Sequence, residues 1–349
     1  MKIVAQILKI ALWPLSLVYG AVATFRNICF NCHLLKQTEF KTPTICVGNI
    51  SVGGTGKTPH VEYLVRLLSK HFGNQIATVS RGYGRSTSGF VLANSTSTAA
   101  TIGDEPNQIR CNNPSITVCV DENRCRAISH LQQMPQPPKA IILDDAYQHR
   151  YVKPKINILL VDYNRPIFAD TMMPSGRLRE PRWGKNRANV VVVTKCPENV
   201  DKQLFERKLN LKPNQKLFFS TFKYGNLKSE NGAYTLSKNC SVLAVSGIAH
   251  PENMLQYLQS QSADVKSVRF ADHHNFSQSD IDQIVVQFNS ITNPNKLIVT
   301  TEKDFSRLVD SPLYEQVSKL PLCRLPIQVE FVGSQSAEFD NIVIACLTK

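Results

Sequence analysis

The residues best equipped for chemistry lie in Gly48-Asn-Ile-Ser-Val-Gly-Gly-Thr-Gly-Lys-Thr-Pro59. An apolar run, Thr44 to Val47, precedes them and reads as a buried strand. Val61, Leu64, Val65, Leu67 and Leu68 follow at helical spacing. Strand, glycine turn, Lys-Thr and helix is the layout of a P-loop. Ser51, Val52, Gly53, Gly54, Thr55, Gly56, Lys57 and Thr58 are therefore the candidate phosphate-binding residues. Glycines let backbone N–H groups turn inward on phosphate, and the helix N-terminus adds a favourable dipole. Lys57 would reach the outer phosphates, and the Thr58 hydroxyl would ligate Mg²⁺. One position departs from the usual pattern: Ser51 stands where a glycine is expected, leaving Gly53 and Gly54 to supply the flexibility.

Other groups complete a phosphate chemistry. Lys139-Ala-Ile-Ile-Leu-Asp-Asp145 is an apolar strand ending in two acids, the setting in which P-loop proteins place a Mg²⁺ carboxylate. Arg81-Gly-Tyr-Gly-Arg85 puts two arginines and an aromatic on a glycine-hinged loop, which suits a phosphate or a sugar. Gly103-Asp-Glu-Pro106 opens a helix, where Asp104 has an ordinary capping role available. Met173 to Pro181 carries Arg177, Arg179 and Glu180, and could equally be a solvated linker.

Strands and helices alternate around these groups. Ile76–Ser80, Ile116–Val120, Asn157–Asp162 and Asn189–Thr194 read as further buried strands. The rhythm is lost from about 205 to 239 and resumes with Val242–Ser246, a helix, Val265–Phe270, a helix from about Ser279 to Asn289, and Leu297–Thr300. The expected class is α/β: a P-loop α/β/α domain at 31–225 and a smaller α/β/α domain at 226–325. Ile327–Val332 and Ile342–Cys346 are expected to form a closing strand pair within 326–349. The chain has 349 residues, 42% hydrophobic and 19% charged, so it can bury a large core and is not disordered. Its net charge of +13 favours acidic partners.

Residues 1–30 are the most apolar segment. Pro14 and polar residues interrupt the run, so a span of about 20 apolar residues is not reached. Two readings stay open. One is a helix in the membrane interface, anchored by Trp13, Tyr19, Lys2, Lys9 and Arg26. The other is a helix packed on the protein's own core. Ala21-Val-Ala23 resembles a signal-peptidase site, and Cys29-Phe-Asn-Cys32-His33 has the c-type haem spacing. Both conflict with a P-loop, which needs nucleotide inside the cell. The ten cysteines are scattered, as in a reduced setting.

Taken together, these motifs resemble the tetraacyldisaccharide 4′-kinase family, the lipid A 4′-kinases of Gram-negative bacteria. The resemblance runs from the N-terminal helix to Thr301-Glu-Lys-Asp304. It rests on the P-loop, Arg81–Arg85, Gly103–Pro106, Asp144-Asp-Ala-Tyr-Gln-His149, Leu178-Arg-Glu-Pro181 and Asp272-His273. Ser51 is at home in that family. Ala146 departs from it, where glycine is expected after the two acids. The resemblance implies two α/β/α domains, the smaller closing over the site. It also implies a reaction at the cytoplasmic face of the bacterial inner membrane. ATP with Mg²⁺ gives its γ-phosphate to the 4′-hydroxyl of an acylated glucosamine disaccharide 1-phosphate. On this reading Lys57 holds the β- and γ-phosphates, and Thr58, Asp145 and Glu180 are the metal ligands. Asp104 is the base, partnered by His273. Arg81, Tyr83, Arg124, Gln148, His149 and Arg179 bind the acceptor. The expected partners are the lipid and an anionic membrane surface, with no nucleic acid, and the chain is expected to act as a monomer.

A different class remains the alternative: a P-loop switch ATPase of the partition or metal-insertion type. Such proteins carry a lysine ahead of the paired glycines, and here that position is Val52.

Overall fold

The computed structural model describes residues 10–248, 250–272 and 274–348. Helix α1 (Trp13–Asn31) comes first, followed by β1 (Thr44–Gly48), α2 (Lys57–Phe72), β2 (Ile76–Ser80) and β3 (Val91–Leu92). Then come α3 (Ala99–Ile102), α4 (Asp104–Asn112), β4 (Thr117–Val120), α5 (Arg124–Gln132), β5 (Ala140–Asp144), β6 (Ile156–Asp162) and β7 (Val190–Thr194). Helix α6 (Lys202–Leu209) and β8 (Lys216–Tyr224) complete the first half. The second half holds β9 (Ser241–Ser246), α7 (Glu252–Gln261), β10 (Asp264–Arg269), α8 (Gln278–Asn289), β11 (Lys296–Thr301) and α9 (Glu302–Asp310). It closes with α10 (Tyr314–Ser318), β12 (Leu322–Leu325), β13 (Ile327–Phe331) and α11 (Gln335–Thr348).

Two sheets result. The larger has the order β13-β8-β7-β6-β1-β5-β2-β4-β3, and the smaller β10-β9-β11-β12. Within the larger, β13 and β3 are antiparallel to their neighbours and the other pairs are parallel. Parallel strands covered on both faces need apolar side chains on both, which is why β1, β5 and β7 read as unbroken hydrophobic runs. Alternate residues feed opposite layers. Cys46, Leu143, Leu159 and Val193 face one layer, and Ile45, Val47, Ile142, Leu160 and Val192 face the other. Helix α2 closes the second layer with Val61, Leu64, Val65 and Leu68, all fully buried. Each contributes about 1.5–3 kcal/mol by leaving water.

Two expectations need correction. Residues 342–346 are not a strand but part of α11, whose Phe339 and Val343, one helical turn apart, are buried against the larger sheet. The β-branched run Ile342-Val-Ile344 favours a strand locally, and the tertiary surface overrides it. The stretch 205–239 also contains regular structure. Strand β8 pairs in parallel with β7 and antiparallel with β13. With no partner for Ile342–Cys346, Ile327–Phe331 pairs with β8 instead.

The two sheets meet through α4 and α9. At one contact, Asn112 Nδ2 donates to Glu62 Oε1 and Glu302 Oε1, each at 2.9 Å. Burial, then the charge of Glu302, pushes the Glu62 carboxyl up to about 7 from an ordinary 4.5. Glu302 is raised by burial too. The native state therefore binds more protons than the unfolded chain between those values, and stability must fall as pH rises from about 4.5 through about 7. Glu62→Gln keeps the acceptor for Asn112 and removes the charge. It is expected to flatten that decline in a series of melting curves. At pH 8 the Tm should rise by about 1–2 °C for each kcal/mol recovered.

Candidate functional site

The loop between β1 and α2 sits at the carboxyl end of the parallel sheet, where α/β proteins hold ligands. Gly56 caps α2 with φ +82°, and a Cβ there would lie 2.3 Å from Phe222 Cζ. Only glycine fits both constraints. Gly53 has φ +114° and nothing within 4 Å of a Cβ position, so this part of the loop faces open space. The loop is braced from behind. Asn49 Nδ2 donates to Thr55 Oγ1 at 2.8 Å, and Thr194 Oγ1 donates to Thr55 O at 2.9 Å. Lys195 Nζ reaches Gly54 O and pairs with Asp162 Oδ2 at 2.6 Å. His60 contacts Gly56 O through Nδ1 at 2.7 Å and Ser220 Oγ through Nε2 at 3.1 Å. Burial lowers His60 to about 4. The neutral ring thus donates from Nδ1 and accepts at Nε2.

Ser51 loses its oddity in this frame. It forms an antiparallel bridge with Leu178, flanked by Val52 N donating to Arg177 O and Arg179 N donating to Ile50 O, both at 2.8 Å. An extended, paired position needs no glycine. The residue 171–180 segment is thus laced to the P-loop and is no solvated linker.

A cleft of about 990 Å³ opens beside the loop. Lys57, Asp144, Asp145, Arg81, Tyr83, Asp104, Arg124, Gln148, His149, Arg179 and Glu180 all line it, so the structure brings most of the expected residues together. Val52, Gly53 and Gly54 form its phosphate-loop wall. Thr58 lies buried in the first turn of α2 beside Lys57, while Ser51 and Thr55 are buried within the loop. His273 lies outside the described residues.

Lys57 Nζ stands 3.7 Å from Asp145 Oδ2, and Arg179 Nη1 lies 3.2 Å from both Asp145 oxygens. Asp145 adopts a left-handed backbone, φ +45°, a conformation that stores strain at such sites. Its neighbour Asp144 is buried. Ser80 Oγ donates to Oδ2 at 3.2 Å, and Oδ1 has no hydrogen-bond partner among the described residues. Burial, then the charges of Glu105 and Asp145, pushes Asp144 up to about 7. A divalent cation would relieve that repulsion, so the acid pair suits Mg²⁺. Asp144, named in the sequence only as the first of two acids, thereby joins Asp145 as a candidate ligand. Glu180, the third expected metal ligand, lines the same cleft with both oxygens engaged by side chains. Arg187 grips both its oxygens at 2.6 Å, and Asn27 and Gln148 add bonds of 3.0 and 2.8 Å.

Asp104 does not cap its helix. The N-cap of α4 is Gly103, with no side-chain cap bond. The carboxylate instead meets Arg307 of α9, Nε to Oδ1 at 2.9 Å and Nη2 to Oδ2 at 2.6 Å. Nothing local in the sequence pointed to Arg307.

The acceptor candidates occupy two depths. Tyr83 is 84% exposed at the rim, while Arg124 is 4% exposed at the floor. His149 also lies deep. Burial and the nearby Arg124, Arg26 and Arg81 hold it down to about 4, a neutral ring among cations. Its Nε2 finds no partner among the described residues.

Helix α1 forms one wall of the cleft through Tyr19, Val22, Ala23, Arg26 and Asn27. Two expected membrane anchors turn inward. The Tyr19 hydroxyl donates to Arg179 O at 2.9 Å, and Arg26 donates twice to Gln148 O at 3.1 Å. Lys2 and Lys9 lie outside the described residues. Ser16, Asn27 and Phe30 are the buried positions of the helix, while Trp13, Leu15, Leu17, Val18, Val22 and Phe25 are each more than half exposed. The apolar side thus faces outward, away from the protein. No helix among the described residues is long and apolar enough to cross a membrane.

A glycine-turned loop opening a Lys-Thr helix at the carboxyl edge of a parallel sheet, with two acids on the neighbouring strand, defines a P-loop phosphate-binding protein. The family described as tetraacyldisaccharide-1-P 4′-kinase matches residues 8–348, and this chain belongs to it. It is similar to the tetraacyldisaccharide 4′-kinase of Bacteroides thetaiotaomicron, at 45% identity, covering 95% of this chain and 92% of that protein. The protein of that name from Flavobacterium johnsoniae is 44% identical, with 97% of each covered. A crystal structure described as the "apo" form of LpxK from Aquifex aeolicus in complex with ATP superposes with a TM-score of 0.76. It is 24% identical and covers 97% of this chain and 99% of that one, a likeness of fold.

Proposed function

We propose that this chain transfers the γ-phosphate of ATP to the 4′-hydroxyl of a tetraacylated glucosamine disaccharide 1-phosphate, giving the 1,4′-bisphosphate in lipid A biosynthesis. One observation carries the reading: a single cleft has the P-loop on one wall and, on another, a helix whose apolar side faces away from the protein. A membrane-borne acceptor could thus reach the phosphate donor without leaving its lipid.

Phosphoryl transfer is mostly positioning and charge neutralisation. Lys57 and the amides of 53–58 hold the donor's β- and γ-phosphates. Thr58, Asp144 and Asp145 would hold Mg²⁺, which neutralises charge on the phosphates when bound. Asp104 orients the acceptor hydroxyl and takes its proton, with His273 as its proposed partner. Glu180, gripped by Arg187, holds Gln148 and α1 in place. Arg81, Arg124, Arg179 and the neutral His149 receive the acceptor's phosphate and sugar, with Tyr83 at the entrance. The smaller sheet closes the cleft and limits hydrolysis by water.

The switch-ATPase reading is separable by acceptor dependence. ADP release by the purified protein should require the disaccharide lipid. Equal release with and without lipid would favour a switch.

Residence at the cytoplasmic face of the inner membrane belongs to the same proposal. Val18→Ser/Phe25→Ser is expected to weaken sedimentation with anionic phospholipid vesicles by roughly tenfold or more, since each apolar side chain contributes about 1.5–3 kcal/mol on burial. Unchanged sedimentation would rule out α1 as the docking element.

A further inference from the structure

Asp104 and Arg307 come from different sheets. Asp104 opens α4, beside the larger sheet, and Arg307 sits on α9, which follows β11 of the smaller one. The guanidinium addresses the carboxylate side-on, one N–H to each oxygen, at 2.9 and 2.6 Å. Its remaining amino group, Nη1, donates to Asp304 Oδ1 at 3.3 Å. Asp304 is itself fully buried and fixed, accepting from Gly247 N at 2.9 Å and Thr301 Oγ1 at 2.7 Å through Oδ2. A chain of bonds therefore runs from the smaller sheet's backbone, through Asp304 and Arg307, to Asp104.

We propose that Arg307 is the positioning residue for Asp104, fixing the direction of its carboxylate when the two sheets are docked. This rests on the reading of Asp104 as the acceptor base. A base must be aimed as well as present, and a misplacement of about 1 Å can cost roughly 10²-fold in rate. The planar fork is suited to that task, because two parallel N–H···O bonds define a carboxylate's plane where one ammonium cannot. The grip does not use up the base, since each carboxylate oxygen has two acceptor positions and the fork takes one of each. Arg307 itself does not line the cleft, whereas Asp104 does. Its action is through Asp104.

The test is a double-mutant cycle in the full-length protein, reading steady-state transfer from ATP to the disaccharide lipid and ATP affinity. Arg307→Ala should lower kcat by about 10²-fold with little change in either KM. Arg307→Lys keeps the charge next to Asp304 and is the variant more secure in folding. It should show the same split with a smaller loss. In an Asp104→Ala background, Arg307→Ala and Arg307→Lys should cost nothing more, because residues acting as a unit are non-additive. Losses that multiply across the pair, or a full kcat in Arg307→Lys and Arg307→Ala, would overturn the proposal. Full transfer by Asp104→Ala alone would instead remove the base reading on which it stands.

Discussion

Asp104→Ala is expected to lower kcat for transfer by about 10²–10⁴-fold, the usual contribution of a positioned acid or base. ATP affinity should be retained. Asp104 is well separated in role from the P-loop, since its carboxylate is held by Arg307 of α9, beyond the larger sheet. Helix stability should change little through capping, because Gly103 holds the cap and the Asp104 side chain makes no cap bond. Loss of turnover with nucleotide affinity intact would place Asp104 at the acceptor. Isothermal titration with a non-hydrolysable ATP analogue, beside steady-state transfer, separates the two quantities. If turnover survived, the proton would have to be taken elsewhere in the cleft.

The second large effect is expected at Lys57. Its Nζ lies 3.7 Å from Asp145, it is 8% exposed, and it stands at the first position of α2. Lys57→Ala removes the loop's own cation from the phosphate wall. It also leaves Asp144, already forced up to about 7 by burial and neighbouring acids, without the lysine charge that opposes that shift. A preorganised charge aimed at the transferring group contributes about 10²–10³-fold. Lys57→Ala should therefore lose at least that in kcat and should also weaken nucleotide binding. Joint loss of kcat and affinity distinguishes Lys57 from Asp104, whose effect falls on kcat.

The P-loop and the acid-tipped strand were legible because their signals are local. A glycine turn and a Lys-Thr helix start are contiguous, and a doubly covered parallel strand announces itself as an apolar run. Ser51 looked anomalous only because its pairing with Leu178 lies far along the chain. Strand β8 was hidden for another reason: it sits between polar segments and breaks the strand–helix rhythm. The Ile342-Val-Ile344 run misled because local β-preference yielded to a surface prepared by Phe218, Phe331 and Tyr63. The inward turn of Tyr19 and Arg26 was likewise unreadable. On sequence alone, any aromatic or cation beside an apolar helix looks like a membrane anchor. Arg307 was invisible because its chemistry exists only across two sheets.

Transfer falls on one hydroxyl of one lipid. Its most direct test is to incubate the purified protein with ATP, Mg²⁺ and the tetraacyldisaccharide 1-phosphate in detergent, then examine the lipid by mass spectrometry and phosphorus NMR. One added phosphate, present as a monoester on the 4′ oxygen and matched by one ADP, is the predicted result. ADP without any phosphorylated lipid, or a phosphate on a different oxygen, would contradict it.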